Sequence, residues 1–253
     1  MATVEVHKNR SFDMSKLDYS TMLDGSHYLF DQWTYIIQPG GNVTEEFHGY
    51  GFGMNSNRDL SKGVVTSYEA YIKNIKVVSI EGVSIKAAEL TAAAKTVTLN
   101  DDYAVVAKML KGNDTITGGD KADVLIGYAG KDQITGGKGA DDLWGGSGAD
   151  TFVFNSVSDS TVSWRGRDTI YDFRQVEGDR IDLMGIDADT GKRGDQFFEF
   201  IGDKKFSKTA GELRYEKKLG DTFIHGDVNG DGKADFSIVL DPLVNLKDSD
   251  FLL

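Results

Sequence analysis

The sequence predicts a mainly β protein in which a small β-rich domain over residues 1–105 precedes a stack of short strands joined by glycine turns. Three observations predict it. A nine-residue period runs over 109–153 with aspartate at a fixed place in every frame. Glycine and aspartate concentrate in the same half: 22 of 30 glycines lie in 109–253, where 23 of 27 acids are Asp. Glu favours solvated helical faces, whereas Asp with Gly marks turns and oxygen-ligand sites. Finally, the first 105 residues alternate short apolar runs with turn-forming clusters.

In chain order, MATVEVHKNRSFDMSKLDYS carries charges where a signal peptide needs an apolar run, and nowhere do apolar residues approach the roughly 18 that a membrane span requires. No Sec-type export signal and no transmembrane segment is expected. Strands are expected over 29–38, 64–72 and 75–80, turns at PGGN (39–42) and NSNRD (55–59), and helices near 86–95 and 101–110. Cysteine is absent, which excludes disulfides and thiolate-held zinc. The net charge of -12 falls unevenly, -3 over 1–108 (13 acidic, 10 basic) and -9 over 109–253 (27 acidic, 18 basic). Such a surface argues against nucleic acid as partner and for cations.

The repeat frames are MLKGNDTIT (109–117), GGDKADVLI (118–126), GYAGKDQIT (127–135), GGKGADDLW (136–144) and GGSGADTFV (145–153). The sixth place is Asp114, Asp123, Asp132, Asp141 and Asp150, and the eighth is Ile116, Leu125, Ile134, Leu143 and Phe152. Glycines at places one, two and four are Gly112, Gly118, Gly119, Gly127, Gly130, Gly136, Gly137, Gly139, Gly145, Gly146 and Gly148. They permit positive φ, so the backbone can curl until carbonyls converge. Places seven to nine then form a strand with the eighth side chain turned inward. A single loop offers too few oxygens for calcium, which takes about six to eight, so two stacked loops are needed per Ca2+. If two frames make one coil, frames 18 residues apart stack and pair Asp114 with Asp132, Asp123 with Asp141, and Asp132 with Asp150, leaving only Asp132 in two sites. Met109, Leu110, Lys121 and Tyr128 replace repeat glycines, so sites there are expected to be partial. A flexible Gly/Asp linker would have no reason to keep the apolar column.

These frames match the G-G-x-G-x-D-x-U-x nonapeptide of RTX proteins. Together with GRDTIYDF (166–173), GDRIDL (178–183), GDVNGDGKADFSIVL (226–240) and the terminal DFLL, they resemble the C-terminal RTX domain of serralysin-type secreted proteins. The resemblance covers roughly 109–253. It implies a calcium-loaded parallel β-roll over 109–153 within a domain spanning 106–253, a β-sandwich-like closing segment over 154–253, and secretion to the extracellular space by a type I apparatus that reads an uncleaved C-terminal signal. Segments GYGFGMNSNRDLSKGVVTSYEAY (49–71), SIEGVSIKAAEL (79–90) and NDDYAVVAKML (100–110) are similar to leader regions of RTX proteins in α-proteobacteria. That similarity implies no activity for 1–105.

Serralysins are zinc proteases, but their H-E-x-x-H spacing is absent from the set His7, His27, His48 and His225, so no catalytic residue is assigned. Glu45, Glu46 and His48 in EEFHGY read as a solvated strand edge, with a metal or acid/base cluster as the alternative. Asp227 to Asp235 imitate the start of an EF-hand loop, yet Ile238 stands where a Glu is required; a hairpin is the preferred reading and a weak calcium site the alternative. Asp168 and Asp172 alternate along one strand and are expected to face one side and close the last site. The terminal DSDFLL reads both as a last strand and as the family's secretion signal. Two function classes remain. One is a secreted calcium-binding protein whose N-terminal domain recognises an extracellular ligand, such as surface polysaccharide or a host component. The other is a small polysaccharide-acting enzyme with the roll as export cassette.

Overall fold

The computed structural model describes residues 1–17, 19, 23, 28–40, 42–57, 59–96 and 99–253. His27, Gly41 of the first expected turn and Arg58 of the second lie outside the described residues. Strand β1 (Thr3–Val6) alternates exposed and buried residues, with Val4 fully buried. The antiparallel meander β2 (Tyr28–Phe30), β3 (Thr34–Gly40), β4 (Val43–Met54), β5 (Leu60–Ile72) and β6 (Ile75–Lys86) follows.

The strand expected over 29–38 is two strands. Asp31 Oδ1 accepts from the amides of Trp33 and Thr34, both at 2.7 Å, and this side-chain turn folds β2 back on β3. Strand β4 is not among the expected strands, although EEFHGY within it reads as a strand edge, and β5 and β6 run longer than expected; bulges keep the glycines of β4 within the ladder, as at the register shifts around His48/Gly49 and Tyr50/Gly53. Helices α1 (Ala87–Ala94) and α2 (Leu99–Met109) lie where the sequence puts them; they bury Leu90 and Val106 completely. Among the described residues no helix is long and apolar enough to cross a membrane.

Next come β7 (Thr115–Thr117), β8 (Val124–Ile126), β9 (Gln133–Thr135), β10 (Asp142–Trp144) and β11 (Thr151–Val153), each occupying places seven to nine of its frame. They pair in parallel with the frame 18 residues away, β7 with β9, β9 with β11 and β8 with β10. The eighth residues Ile116, Leu125, Ile134, Leu143 and Phe152 are all fully buried between the two sheets. This is a parallel β-roll, and the chain is mainly β.

The closing segment adds strands to both faces: β12 (Thr169–Ile170), β13 (Arg180–Asp182), β14 (Glu199–Phe200), β15 (Glu212–Lys218), β16 (Asp221–Asp227), β17 (Phe236–Leu240) and β18 (Phe251–Leu252). One sheet has the order β18-β13-β11-β9-β7-β1-β6-β5-β4-β3-β2, the other β14-β15-β16-β17-β12-β10-β8. The N-terminal strands therefore share a sheet with the roll, joined through β1. The loop between β16 and β17 is a hairpin: buried Asp227 receives the amides of Asn229, Gly230 and Gly232 on its two oxygens.

Candidate metal centre

Each repeat turn ends on an aspartate that is at most 3% exposed. The carboxylates form ladders. Asp132 Oδ1 accepts from the Asp114 amide at 2.8 Å, Asp141 Oδ1 from the Asp123 amide at 2.8 Å, and Asp150 Oδ1 from the Asp132 amide at 2.9 Å. Each Asp is thereby pinned to the turn 18 residues before it. Beyond the repeat the ladders go on: Asp168 accepts from the Asp141 amide and Asp179 from the Asp150 amide, both at 3.0 Å. One row holds Asp114, Asp132, Asp150 and Asp179; the other holds Asp123, Asp141 and Asp168.

The ladders occupy one oxygen per carboxylate. The second, Oδ2, is buried and receives no hydrogen bond in Asp114, Asp132, Asp141, Asp150 and Asp168. Leaving such an oxygen unpartnered costs about 1–3 kcal/mol, more when charged. A cation in each row would remove that cost. The donors are all oxygens, carboxylate and backbone carbonyl, which fit the hard ion Ca2+ and not a thiolate- or imidazole-seeking metal. Space is reserved for it as well. A Cβ on Gly136 would stand 2.5 Å from Asp141 Oδ2 and 3.1 Å from Asp168 Oδ2, and one on Gly127 would stand 2.7 Å from Asp132 Oδ2. The fourth-place glycines Gly112, Gly130, Gly139 and Gly148 hold φ between 129° and 152°, which curls each turn. Tyr128, in a glycine's place, adopts a φ of 69°.

Charge behaves accordingly. Burial first, and the neighbouring Asp150 and Asp114 second, push the Asp132 carboxyl up to about 7; burial and Asp123 do the same to Asp141. Burial also pushes Asp179 up to about 6 and holds Asp168 well above the carboxylate range, with Asp141 adding repulsion. Asp123 and Asp150 are raised too, chiefly by burial. Without a cation, these rows favour protons.

All five repeat aspartates and their glycines thus come together in two rows. Two corrections to the sequence reading follow. Asp132 does not stand alone between two carboxylates, since Asp141 lies between Asp123 and Asp168, and Asp150 between Asp132 and Asp179. Nor do Asp168 and Asp172 close one site. Strand β12 ends at Ile170, so the alternation that would align them stops; Asp172 instead receives the amides of Gly145 and Gly146, both at 2.8 Å, under the other row. Sequence reasoning missed Asp179 and Glu177, whose Oε2 receives the Gly148 amide at 2.9 Å. The signal was present in GDRIDL, where Asp179 precedes buried Ile181 by two residues, as place six precedes place eight.

In EEFHGY the β alternation separates what the sequence grouped. Glu45 is buried against Tyr68, which donates to it at 3.2 Å, while Glu46 and His48 face the opposite side, 3.5 Å apart. Glu69, opposite Glu46 in β5, joins them; ligand atoms of the three lie within 4.8 Å of one another. Glu69 is also bonded to Lys76 and to the Tyr71 hydroxyl. Beside them opens a polar groove of about 360 Å³ lined by Ile36, Gln38, Thr44, Glu46, Tyr71 and Asn74.

A parallel roll with stacked aspartate rows at 18-residue spacing defines an RTX-type calcium-repeat fold. The family model for the Peptidase M10 serralysin C terminal matches residues 43–253, and the chain belongs to that family. Among solved structures it is similar to the AlgE6R3 subunit of the Azotobacter vinelandii mannuronan C5-epimerase, at 27% identity and TM-score 0.40, covering 56% of this chain and 73% of that one. The AlgE6R2 subunit of the same enzyme is similar at 25% identity and TM-score 0.39, covering 56% and 86%. No curated protein matches the chain.

Proposed function

We propose that the protein is a secreted calcium-binding RTX protein that leaves the cell unfolded through a type I apparatus and folds on calcium in the extracellular space. The observation that carries this reading is the set of five buried, unpartnered Oδ2 atoms stacked in two rows. Asp114, Asp132, Asp150 and Asp179 would hold calcium in one row, and Asp123, Asp141 and Asp168 in the other, with turn carbonyls completing the shells. Calcium supplies the positive charge that lets these carboxylates ionise while buried, so binding energy becomes folding energy. Low cytosolic calcium then keeps the chain open for export.

In this reading the sheet over 28–86 presents the surface that meets an extracellular ligand, such as surface polysaccharide or a host component. A second reading, a small polysaccharide-acting enzyme, rests on the Glu46, His48 and Glu69 cluster beside the polar groove. A polysaccharide panel separates the two: retention without turnover supports binding, and turnover abolished by His48→Ala supports the enzyme. For calcium, far-UV circular dichroism of the full chain should gain β signal as Ca2+ is added at roughly 0.1–1 mM, the range of extracellular modules. A spectrum identical in chelator and in calcium would sink the proposal.

A further inference from the structure

We infer that residues 1–15 form a cryptic first coil of the roll, and that through it calcium loading of the aspartate rows completes the β1–β6 edge of the N-terminal sheet. The inference rests on the calcium reading above. Its evidence is register. Ala2 donates its amide to Asp114 Oδ1, as Asp114 does to Asp132 Oδ1. The Thr115 amide reaches Ala2 O at 3.0 Å, as that of Gln133 reaches Asp114 O at 2.9 Å. Thr3, Val4 and Glu5 lie in parallel register on Thr115, Ile116 and Thr117, so Val4, fully buried, takes the eighth place.

The second half-coil is HKNRSFDMS, residues 7–15. Asp120 donates to Lys8 O at 2.6 Å, as Lys138 does to Gly119 O at 3.0 Å, which sets Lys8 in the second place. Phe12 donates to Asp123 Oδ1 at 2.6 Å, as Asp123 does to Asp141 Oδ1 at 2.8 Å, which sets Phe12 in the sixth. Asp13 bridges Val124 in parallel, and Met14, fully buried, takes the eighth place. This half-coil has no glycine and no carboxylate in the sixth place, so no period is visible in the sequence. The apolar column continues through Val4 and Met14 while the aspartate rows stop at Ala2 and Phe12. Residues 1–15 also lie outside the 43–253 family match.

The consequence is mechanical. Strand β1 has β7 on one edge and β6 on the other, with Val4 opposite Ile80 and Thr3 opposite Glu81. A four-residue strand is near the short end of the usual range, so pairing on both edges contributes much of what holds β1 in place. Where the roll is not built, Ala2 and Phe12 lose their acceptors, β1 loses β7, and the β1 partner of β6 is left held on one edge alone. Calcium reverses each step in turn. The β1 edge of the N-terminal sheet would thus be completed only where calcium has built the roll, while β2 to β6 keep their own antiparallel ladders.

Hydrogen exchange of the full chain during a calcium titration tests this. Peptides from β6 should gain protection at the same calcium midpoint as peptides from 115–153. Phe12→Pro, which removes the amide donated to Asp123, should raise both midpoints by about threefold or more. Phe12→Ala keeps that amide and should shift them less. Protection of β6 in chelator equal to that in calcium overturns the coupling while leaving the roll intact, and equal shifts for the two Phe12 variants overturn the register. Protection gained nowhere on adding calcium overturns the calcium reading itself.

Discussion

Replacing Asp132 should cost more bound calcium than replacing Asp123, and the reverse should hold for hydrogen bonding. Asp132 lies between Asp114 and Asp150, so a cation above it and a cation below it both draw on its carboxylate. Asp123 has a carboxylate on one side only, Asp141; on the other stands the Phe12 amide. Asp132→Ala should therefore lower the calcium stoichiometry by about two and Asp123→Ala by about one, each site losing one of its six to eight oxygens and its charge match. Without calcium the order inverts. Asp123 accepts two amides, from Phe12 at 2.6 Å and Gly119 at 2.7 Å, whereas Asp132 accepts the Asp114 amide at 2.8 Å and leaves Oδ2 unpartnered. At about 1.5–3 kcal/mol per charge-assisted bond, Asp123→Ala should destabilise any calcium-free fold more. Calorimetric titration gives the stoichiometry, and urea unfolding of calcium-free protein at pH 5 gives the stability. Equal calcium losses, or a larger loss for Asp123→Ala, would refute the shared-site reasoning.

Three further outcomes are expected. Asp132 and Asp141 rise from 3.8 to about 7 on folding, so in the folded calcium-free chain they hold protons that the unfolded chain releases; their contribution to its stability is fully present below about 4 and is lost as pH climbs through 7. Circular dichroism of calcium-depleted protein should show more β signal at pH 5 than at pH 8, and the calcium midpoint should rise as pH falls below 7, because Ca2+ must displace those protons. Gly136→Ala places a methyl 2.5 Å from Asp141 Oδ2 and should weaken calcium binding in the Asp123 row, seen as a lower stoichiometry, while Gly202→Ala, where no atom lies within 4 Å but φ is 69°, should cost only modest backbone strain and no calcium. Deleting 248–253 should keep protein inside the producing cell, whereas Phe251→Ala, which removes a 5% exposed ring 5.1 Å from Phe200, should destabilise the fold by a cavity cost of about 3–5 kcal/mol, seen as a lower melting temperature, yet still permit export. Equal export of both variants would show that the signal lies elsewhere.

The sequence by itself determined the roll. Its information is local and periodic: glycine at a turn, aspartate at the sixth place and an apolar residue at the eighth fix each half-coil within nine residues, and the 18-residue coil follows. That is why β7 to β11, their inward residues and the Asp114/Asp132 pairing could be read before any coordinates. What only the tertiary structure decided lies where contact is made without a repeated signal. Ala2 meets Asp114 across 112 residues and Phe12 meets Asp123 across 111, and neither stretch shares the glycines or the carboxylate of the frame it imitates. Backbone amides make those bonds, and every residue except proline carries one, so side-chain pattern gives no warning. The same reason hid the division of β2 from β3 and placed Asp172 away from Asp168: alternation predicts a face only while the strand lasts, and where a strand ends is set by what the rest of the chain offers its edge.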